Sequence, residues 1–202
     1  MDFLLFKDRV YGYLSYLNVE ESVEVNSLIS ESLKRLDKNC SFIYRYAEYK
    51  IPLSFMNNEP YTSFLSGANS YYLVVTTLGA GVDEIKNELD DKEKVLFDAC
   101  ANAYLEIKTD ELKESIGDDL SYMFSPGYQG SDVSDLKYIL DELDASEIGI
   151  KLLPSGMMTP IKTLAGIYAK GVSPKKKCGE CIMLNNCAYR KVGKLCFHSE
   201  RK

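Results

Sequence analysis

Histidine is almost absent from this sequence, since the only one among 202 residues is His198. A Ser-His-Asp hydrolase uses histidine as its general base, and a single histidine beside a cysteine cluster argues against that class. A P-loop is also absent. The glycine-rich segment Leu78–Gly81 lacks the third glycine of a dinucleotide-binding turn, which favours a tight strand-to-helix connection, with an anion at the helix start as the alternative.

Long apolar runs and an excess of positive charge are missing as well. The apolar stretches are too short to cross a bilayer, and the first residues lack the apolar core and cleavage site of a signal peptide. The formal net charge is -6, which argues against binding nucleic acid through general phosphate attraction. We therefore expect a cytoplasmic protein with no membrane and no nucleic-acid partner.

Cysteine is scarce except near the end of the sequence, where four of the six cysteines lie at Cys178, Cys181, Cys187 and Cys196. In a reducing cytosol, thiols this close in sequence are more typical of metal ligands than of disulfides. Zinc sites usually contain two short C-x2-C pairs, whereas the second pair here is spread out. The spacing favours an iron–sulfur cluster, with zinc as the alternative and unbound thiols as a third possibility.

The segment that carries these cysteines is also basic. From Ser173 onward it holds eight lysines and arginines against Glu180 and Glu200. A basic patch can hold an acidic protein partner or a phosphate group, but lysines also keep an exposed segment soluble, and both interpretations stay open. We predict a globular domain over residues 1–172 and a metal-binding tail over residues 173–202.

The hydrophobic pattern mixes helices and strands without a regular alternation, which favours an α+β fold. The predicted helices are Asp8–Leu36 with a break at Asn18 and Val19, Val82–Leu89, Glu93–Ile116 and Val133–Leu143. The predicted strands are Ser41–Leu53, Tyr71–Thr77, Ile148–Leu153 and Thr163–Ala169, with a turn at Ser125–Tyr128 and a bend at Met157–Pro160.

Three stretches in this order resemble the activation domain of cobalamin-dependent methionine synthase. They are TTLGAGVDEIKNEL followed by LFDACANAYLE, then FSPGYQG, then IGIKLLPSGMMTPIKTLAGIY. The match covers most of residues 8–169 and is most like the short, stand-alone relatives of that domain found in anaerobes. The resemblance implies a curved α+β domain with a twisted antiparallel sheet and flanking helices.

The resemblance also implies a ligand and a partner. In the family, the domain binds S-adenosylmethionine beside a cobalamin domain and permits reductive remethylation of oxidised cobalamin. The implied partner is a corrinoid- or cobalamin-binding protein, or a methionine synthase that lacks its own activation domain, and the cobalamin is carried by that partner.

The family motif R-x-x-x-G-Y carries over in part. Its glycine and tyrosine match Gly127 and Tyr128, but its arginine position holds Met123. Methionine cannot pair with a carboxylate through two hydrogen bonds as arginine does. Lys151 and Lys162 are nearby cations that offer only a point charge in its place.

Two segments would then line the pocket for S-adenosylmethionine. Ser125 and Pro126 belong to the same turn as the motif glycine. The bend at 156–160, which includes Gly156 and Met157, would form a neighbouring wall. The leading hypothesis is a reactivation protein for a corrinoid methyltransferase, and the alternative is a non-redox module that docks on a corrinoid protein and has a structural zinc tail.

Overall fold

The computed structural model describes residues 1–17, 19–172 and 185. Within them the helices are α1 (Phe3–Leu14), α2 (Val23–Asn39), α3 (Tyr61–Phe64), α4 (Gly81–Glu88), α5 (Asp91–Ile116) and α6 (Leu136–Glu142). The strands are β1 (Ile43–Tyr49), β2 (Ser70–Thr77), β3 (Lys151–Leu152), β4 (Met158–Thr159) and β5 (Thr163–Lys170). The predicted tail ligands Cys178, Cys181, Cys187 and Cys196 lie outside the described residues.

The first two helices begin at side chains that accept hydrogen bonds from unpaired backbone N–H groups. The Asp2 carboxylate accepts from two N–H groups at the start of α1, and the Ser22 hydroxyl accepts from Val25 N–H in α2. The predicted helical stretch with a break is confirmed, although α1 begins five residues before Asp8. Helix α1 is followed by a 3-10 turn over Ser15–Leu17 before the chain reaches α2.

Helix α5 is the longest element and has a signal at each end. Asp90 and Glu93 form a capping box at its start, and Gly117 follows its last residue. Its buried residues cover more than one stripe of the helix, because it packs against α1 and α2 as well as the sheet. The prediction of a helix over Glu93–Ile116 is confirmed.

The main sheet is antiparallel, with strand order β1-β2-β5. Every residue of β2 is buried, because β2 is the central strand and has packed side chains on both faces. The segment 119–124 lies along the other edge of β5. There Phe124 N–H donates to Ile167 O (2.9 Å) and Ile167 N–H donates to Phe124 O (2.8 Å). The sequence analysis did not predict this pairing.

One predicted strand is largely wrong. Within Ile148–Leu153 only Lys151 and Leu152 are extended, and the preceding residues Ala145–Ile148 form a 3-10 turn. The predicted bend at Met157–Pro160 contains β4, which pairs with β3 as a short hairpin. A pair of two-residue strands gives too little alternation for a sequence pattern to detect.

Two layers of hydrophobic core lie on opposite faces of the sheet. On one face α1, α2, α4 and α5 pack around Phe6, Leu36, Leu78, Phe97 and Cys100. On the other face α6 packs with Phe124, Ile139, Leu143 and Ile167. The expected α+β class, with an antiparallel sheet and flanking helices, is confirmed. None of the described helices is both long and apolar enough to cross a membrane.

Candidate functional site

The turn Ser125–Tyr128 projects from the end of the segment that pairs with β5. Tyr128 N–H donates to Ser125 O (3.3 Å), and Pro126 is buried beneath the turn. Gly127 has φ +92°, a backbone conformation that favours glycine. The Tyr128 side chain is 61% exposed, so its ring and hydroxyl are available to a ligand.

Ser131 holds this turn in place. Its hydroxyl accepts a hydrogen bond from Gly127 N–H (3.0 Å) and donates to Tyr128 O (2.7 Å). Its own N–H also donates to Tyr128 O (3.1 Å). Sequence analysis did not single out Ser131, although a serine in a Gly-Ser-Asp loop is a residue that commonly bonds to nearby backbone.

The turn Ser125–Tyr128 and the bend at 156–160 both approach the side chain of Val133. A Cβ atom built on Gly127 would lie 3.4 Å from Val133 Cβ, and one built on Gly156 would lie 3.1 Å from Val133 Cγ1. Gly156 has φ +81° and closes the hairpin between β3 and β4. The two glycines therefore flank Val133, and no sequence signal marked Val133 as their common neighbour. Met157, next in the chain, is 55% exposed.

A buried tyrosine extends this network away from the turn. Tyr61 Oη donates to Asp135 Oδ2 (2.7 Å), and Asp135 lies just after Val133. Burial, followed by the hydrogen bond to Asp135, raises the pKa of Tyr61, whereas Ser131 acts in the opposite direction. The phenol therefore stays a proton donor at neutral pH. Tyr61 is more than 60 residues from this loop in sequence, so no local pattern connects them.

Exposed Asp132 adds negative charge beside the turn. The Ser134 backbone N–H hydrogen-bonds to the Asp132 carboxylate (2.8 Å), and this bond is the main cause that lowers the pKa of Asp132. The carboxylate is therefore ionised at neutral pH, close in sequence to Ser131 and Val133.

Met123 does not join this group. A Cβ atom on Gly166 would lie 2.6 Å from Met123 Cγ and 3.1 Å from its sulfur. Met123 packs with a cluster that includes Leu112 of α5 and Tyr168 of β5, whereas the chain after Val133 continues into α6 on the opposite face. The thioether thus serves packing on the α5 face of the sheet.

Lys162 does not replace the missing arginine, because its ammonium group is already paired. Lys162 is 7% exposed; its Nζ lies 2.9 Å from Asp98 Oδ1 and donates to Asn102 Oδ1 (2.7 Å). Asp98 also pairs with Lys86 (2.6 Å). Partial burial tends to raise the pKa of Asp98, but hydrogen bonds from both lysines outweigh it and lower the pKa. Lys151 is exposed on β3.

The glycine-rich segment Leu78–Gly81 is a strand-to-helix connection, as the sequence favoured. Gly79 N–H donates to Thr77 Oγ1 (3.1 Å), and Gly79 has φ +69°. A Cβ atom on Gly81 would lie 2.2 Å from Asn39 O, so glycine lets the start of α4 approach the end of α2. Both glycines have a structural explanation.

In the part of the chain that the structure describes, no group of three or more His, Cys, Asp or Glu side chains is arranged to hold a metal ion. Cys40 and Cys100 are free thiols. Burial raises the pKa of Cys40 to about 11 and that of Cys100 to about 12. Both are therefore protonated at neutral pH and are poor metal ligands.

Comparison with known proteins gives matches among solved structures. No family model matches the chain, and no curated protein matches it. Among solved structures, the crystal structure of the MetH reactivation domain bound to AdoHcy aligns with a TM-score of 0.62 at 14% sequence identity. The alignment covers 83% of this chain and 77% of that chain. The chain therefore has the α+β fold of the MetH reactivation domain.

Proposed function

We propose that this chain supports the reactivation of a cobalamin-dependent methyltransferase, with methionine synthase as the leading candidate, by holding S-adenosylmethionine at the turn Ser125–Tyr128. One observation carries the proposal. Gly127 and Gly156, which sequence analysis assigned to two walls of one pocket, both lie against Val133. They do so on the fold of a domain whose structure holds AdoHcy.

The residues at this turn suit a ligand with an aromatic base and a positive charge. The exposed ring of Tyr128 offers a face on which a base can stack. The ionised carboxylate of Asp132 favours a cationic group such as a sulfonium or an ammonium. Ser131 keeps the turn in one conformation, which lowers the entropy lost on binding.

The departure at Met123 changes how such a ligand would be held. Methionine at position 123 is uncharged and Lys162 pairs with Asp98, so neither supplies a cation to the ligand's carboxylate. Binding would then depend on the base and the positively charged end of the ligand. We expect weaker discrimination between ligands that carry the carboxylate and ligands that lack it.

The proposal divides the chain into a ligand-binding domain over residues 1–172 and a redox tail over residues 173–202. The four tail cysteines would hold an iron–sulfur cluster, because their sequence spacing favours it over zinc. Such a cluster supplies one electron at a time, and the partner would carry the cobalamin. Both proteins would meet in the cytoplasm.

Binding of S-adenosylmethionine tests the ligand site directly. Isothermal titration calorimetry on the full chain should detect S-adenosylmethionine and S-adenosylhomocysteine, and Tyr128→Ala should weaken both by about tenfold through the lost stacking. Tyr44→Ala, which removes a comparably exposed ring from β1, is the matched control. Failure of the wild-type chain to bind either compound contradicts the ligand assignment.

Remethylation of an inactive partner tests the function. The full chain, purified without oxygen, is mixed with a methionine synthase that lacks an activation domain and carries oxidised cobalamin. Reductant and S-adenosylmethionine are added, and formation of the active methylated form is followed by its absorbance. We expect a faster return to activity than without the chain, and an unchanged rate rules out this function for that partner.

A second candidate is a non-redox module that docks on a corrinoid protein and has a structural zinc tail. Methionine at position 123, which packs over Gly166, favours it, because the site lacks the arginine of the family motif. Iron, acid-labile sulfide and zinc analysis separates the candidates. Iron with matching sulfide supports the redox function, whereas zinc without sulfide supports the docking module.

A further inference from the structure

Strand β1 presents a free edge. It is an outer strand in the order β1-β2-β5. Among the described residues, the backbone hydrogen bonds outside regular helices and strands involve none of Ile43–Tyr49. Alternate N–H and C=O groups of an edge strand point away from the sheet and are available to another extended chain.

A groove of about 370 Å³ runs beside this edge. Its walls are Tyr44, Arg45 and Tyr46 of the strand and Glu142, Leu143 and Asp144 at the end of α6. Arg45 Nη1 donates to Leu143 O (3.2 Å), which ties the loop to the strand. The groove therefore has a fixed floor formed by the fold itself.

The groove has an excess of negative charge. Arg45 pairs with two carboxylates, since its Nη2 lies 2.6 Å from Glu147 Oε2 and its Nη1 lies 3.9 Å from Asp144 Oδ2. Glu142 lines the same groove, and its carboxylate accepts a hydrogen bond from Tyr49 Oη (3.1 Å). Asp144 and Glu147 keep most of their side-chain surface exposed, at 73% and 66%. These exposed oxygens can accept further hydrogen bonds from a cationic chain.

Aromatic rings line the same edge. Tyr44 and Tyr46 are 46% and 45% exposed, and their rings are stacked with centroids 6.2 Å apart. Tyr46 also contacts the ring of Tyr72, with centroids 6.2 Å apart. Because side chains alternate along a strand, these rings lie on the α5 face, opposite Arg45 and the carboxylates, where they can contact the residues that alternate with the cations of an added strand.

These features argue against a second copy of the chain as the occupant. A second copy pairing edge to edge would bring the carboxylates at the two α6 ends close together, which costs free energy. The exposed carboxylates beside the free edge favour a cationic, extended segment of a separate protein.

We infer that the β1 edge is a docking site for an extended, lysine- or arginine-bearing segment of another protein. The segment adds a strand to β1, its backbone pairs with the free edge, its cations contact the carboxylates of Glu142 and Asp144, and its alternate residues lie against the rings of Tyr44 and Tyr46 on the other face. This site is separate from the turn at Ser125–Tyr128, and binding here does not depend on S-adenosylmethionine.

The test uses the full chain and two labelled peptides, one alternating lysine with valine and the other alternating glutamate with valine. Fluorescence anisotropy should show binding of the lysine peptide only, and hydrogen exchange should show new protection of the β1 amides that point away from β2. The double variant E142Q/D144N should weaken binding about fivefold. Asparagine suits position 144, where φ is +46°, because its short polar side chain tolerates the left-handed conformation.

The control E20Q/E24Q makes the same charge change at exposed positions near the start of α2 and should leave binding unchanged. Several results overturn the inference: no binding, equal binding of the glutamate peptide, or no effect of E142Q/D144N. Protection, in the free protein, of the β1 amides that point away from β2 also overturns it. If that protection is lost on dilution, a second copy fills the groove; if it is not, the chain's own residues do.

Discussion

Met123 and Gly166 fit together as a pair at the edge of the sheet. A Cβ atom on Gly166 would lie 2.6 Å from Met123 Cγ and 2.6 Å from Phe124 O. The backbone oxygen cannot move without breaking its hydrogen bond from Ile167 N–H. Glycine at position 166 therefore permits the segment 119–124 to approach β5.

Gly166→Ala should destabilise the protein by about 2 kcal/mol, because the added methyl group forces the edge segment away from β5. Urea unfolding followed by circular dichroism measures the change. Adding the Gly166→Ala change to Met123→Ala should lower the free energy of unfolding by less than Gly166→Ala does in the wild type. Some loss should remain, since the contact with Phe124 O is still present. Wild-type stability in Gly166→Ala contradicts the assigned role of this contact.

Among the elements, Asp98 connects three parts of the fold. It lies on α5 and pairs with Lys86 of α4 and with Lys162, which immediately precedes β5. Lys162 is almost fully buried, and its backbone oxygen accepts from Leu78 N–H (3.0 Å) just after β2. A single carboxylate thus helps to hold α4, α5 and the ends of two strands together.

Asp98→Asn should lower the free energy of unfolding by about 2 kcal/mol at neutral pH, because buried Lys162 loses its carboxylate. The pKa of Asp98 in the folded protein is lowered relative to a pKa of about 3.9 in the unfolded chain. The stabilisation that the ionised Asp98 carboxylate provides is therefore fully present above about pH 5 and is lost as the pH falls through the folded-state pKa.

Urea unfolding across this pH range checks the prediction. The stability difference between wild type and Asp98→Asn should shrink as the pH falls below about 4. The control is Glu114→Gln, which also removes one carboxylate from α5 but at an exposed position. A difference that does not vary with pH contradicts the predicted linkage.

At the scale of the whole molecule, the sheet separates two hydrophobic layers formed by described residues. One layer contains Phe6, Leu36 and Phe97, and the other contains Phe124, Ile139 and Ile167. Cys100 is fully buried in the first layer, where its thiol acts as a small apolar group. The fold of residues 1–172 therefore depends on these layers.

Replacing the four tail cysteines with serine should remove bound metal without unfolding the α+β domain. We expect metal analysis of the wild-type chain to give iron with sulfide, and none in the variant, while the urea midpoint of the domain changes little. Cys100→Ser is the contrasting control. It should lower the free energy of unfolding by about 1–2 kcal/mol, because it buries a hydroxyl group. Loss of domain structure in the four-cysteine variant contradicts a separable tail.

The sequence predicted those elements whose signals are local. Asp90 and Glu93 mark the start of α5 and Gly117 marks its end, so the helix could be located from its own residues. The run of β-branched and aromatic residues in β2 was equally clear. The turn at Ser125–Tyr128 was also predicted correctly, since proline and glycine restrict the backbone on their own.

The remaining features depend on contacts between residues far apart in sequence, so only the tertiary structure decided them. The segment 119–124 is extended because β5 offers it hydrogen-bond partners, and β3 and β4 exist because they pair with each other. The sequence alone determined the fold class and the turn that holds the candidate ligand site. Packing decided that Gly127 and Gly156 meet at Val133, that Met123 faces α5, and that Lys162 neutralises Asp98, because burial and charge pairing arise only when distant segments come together.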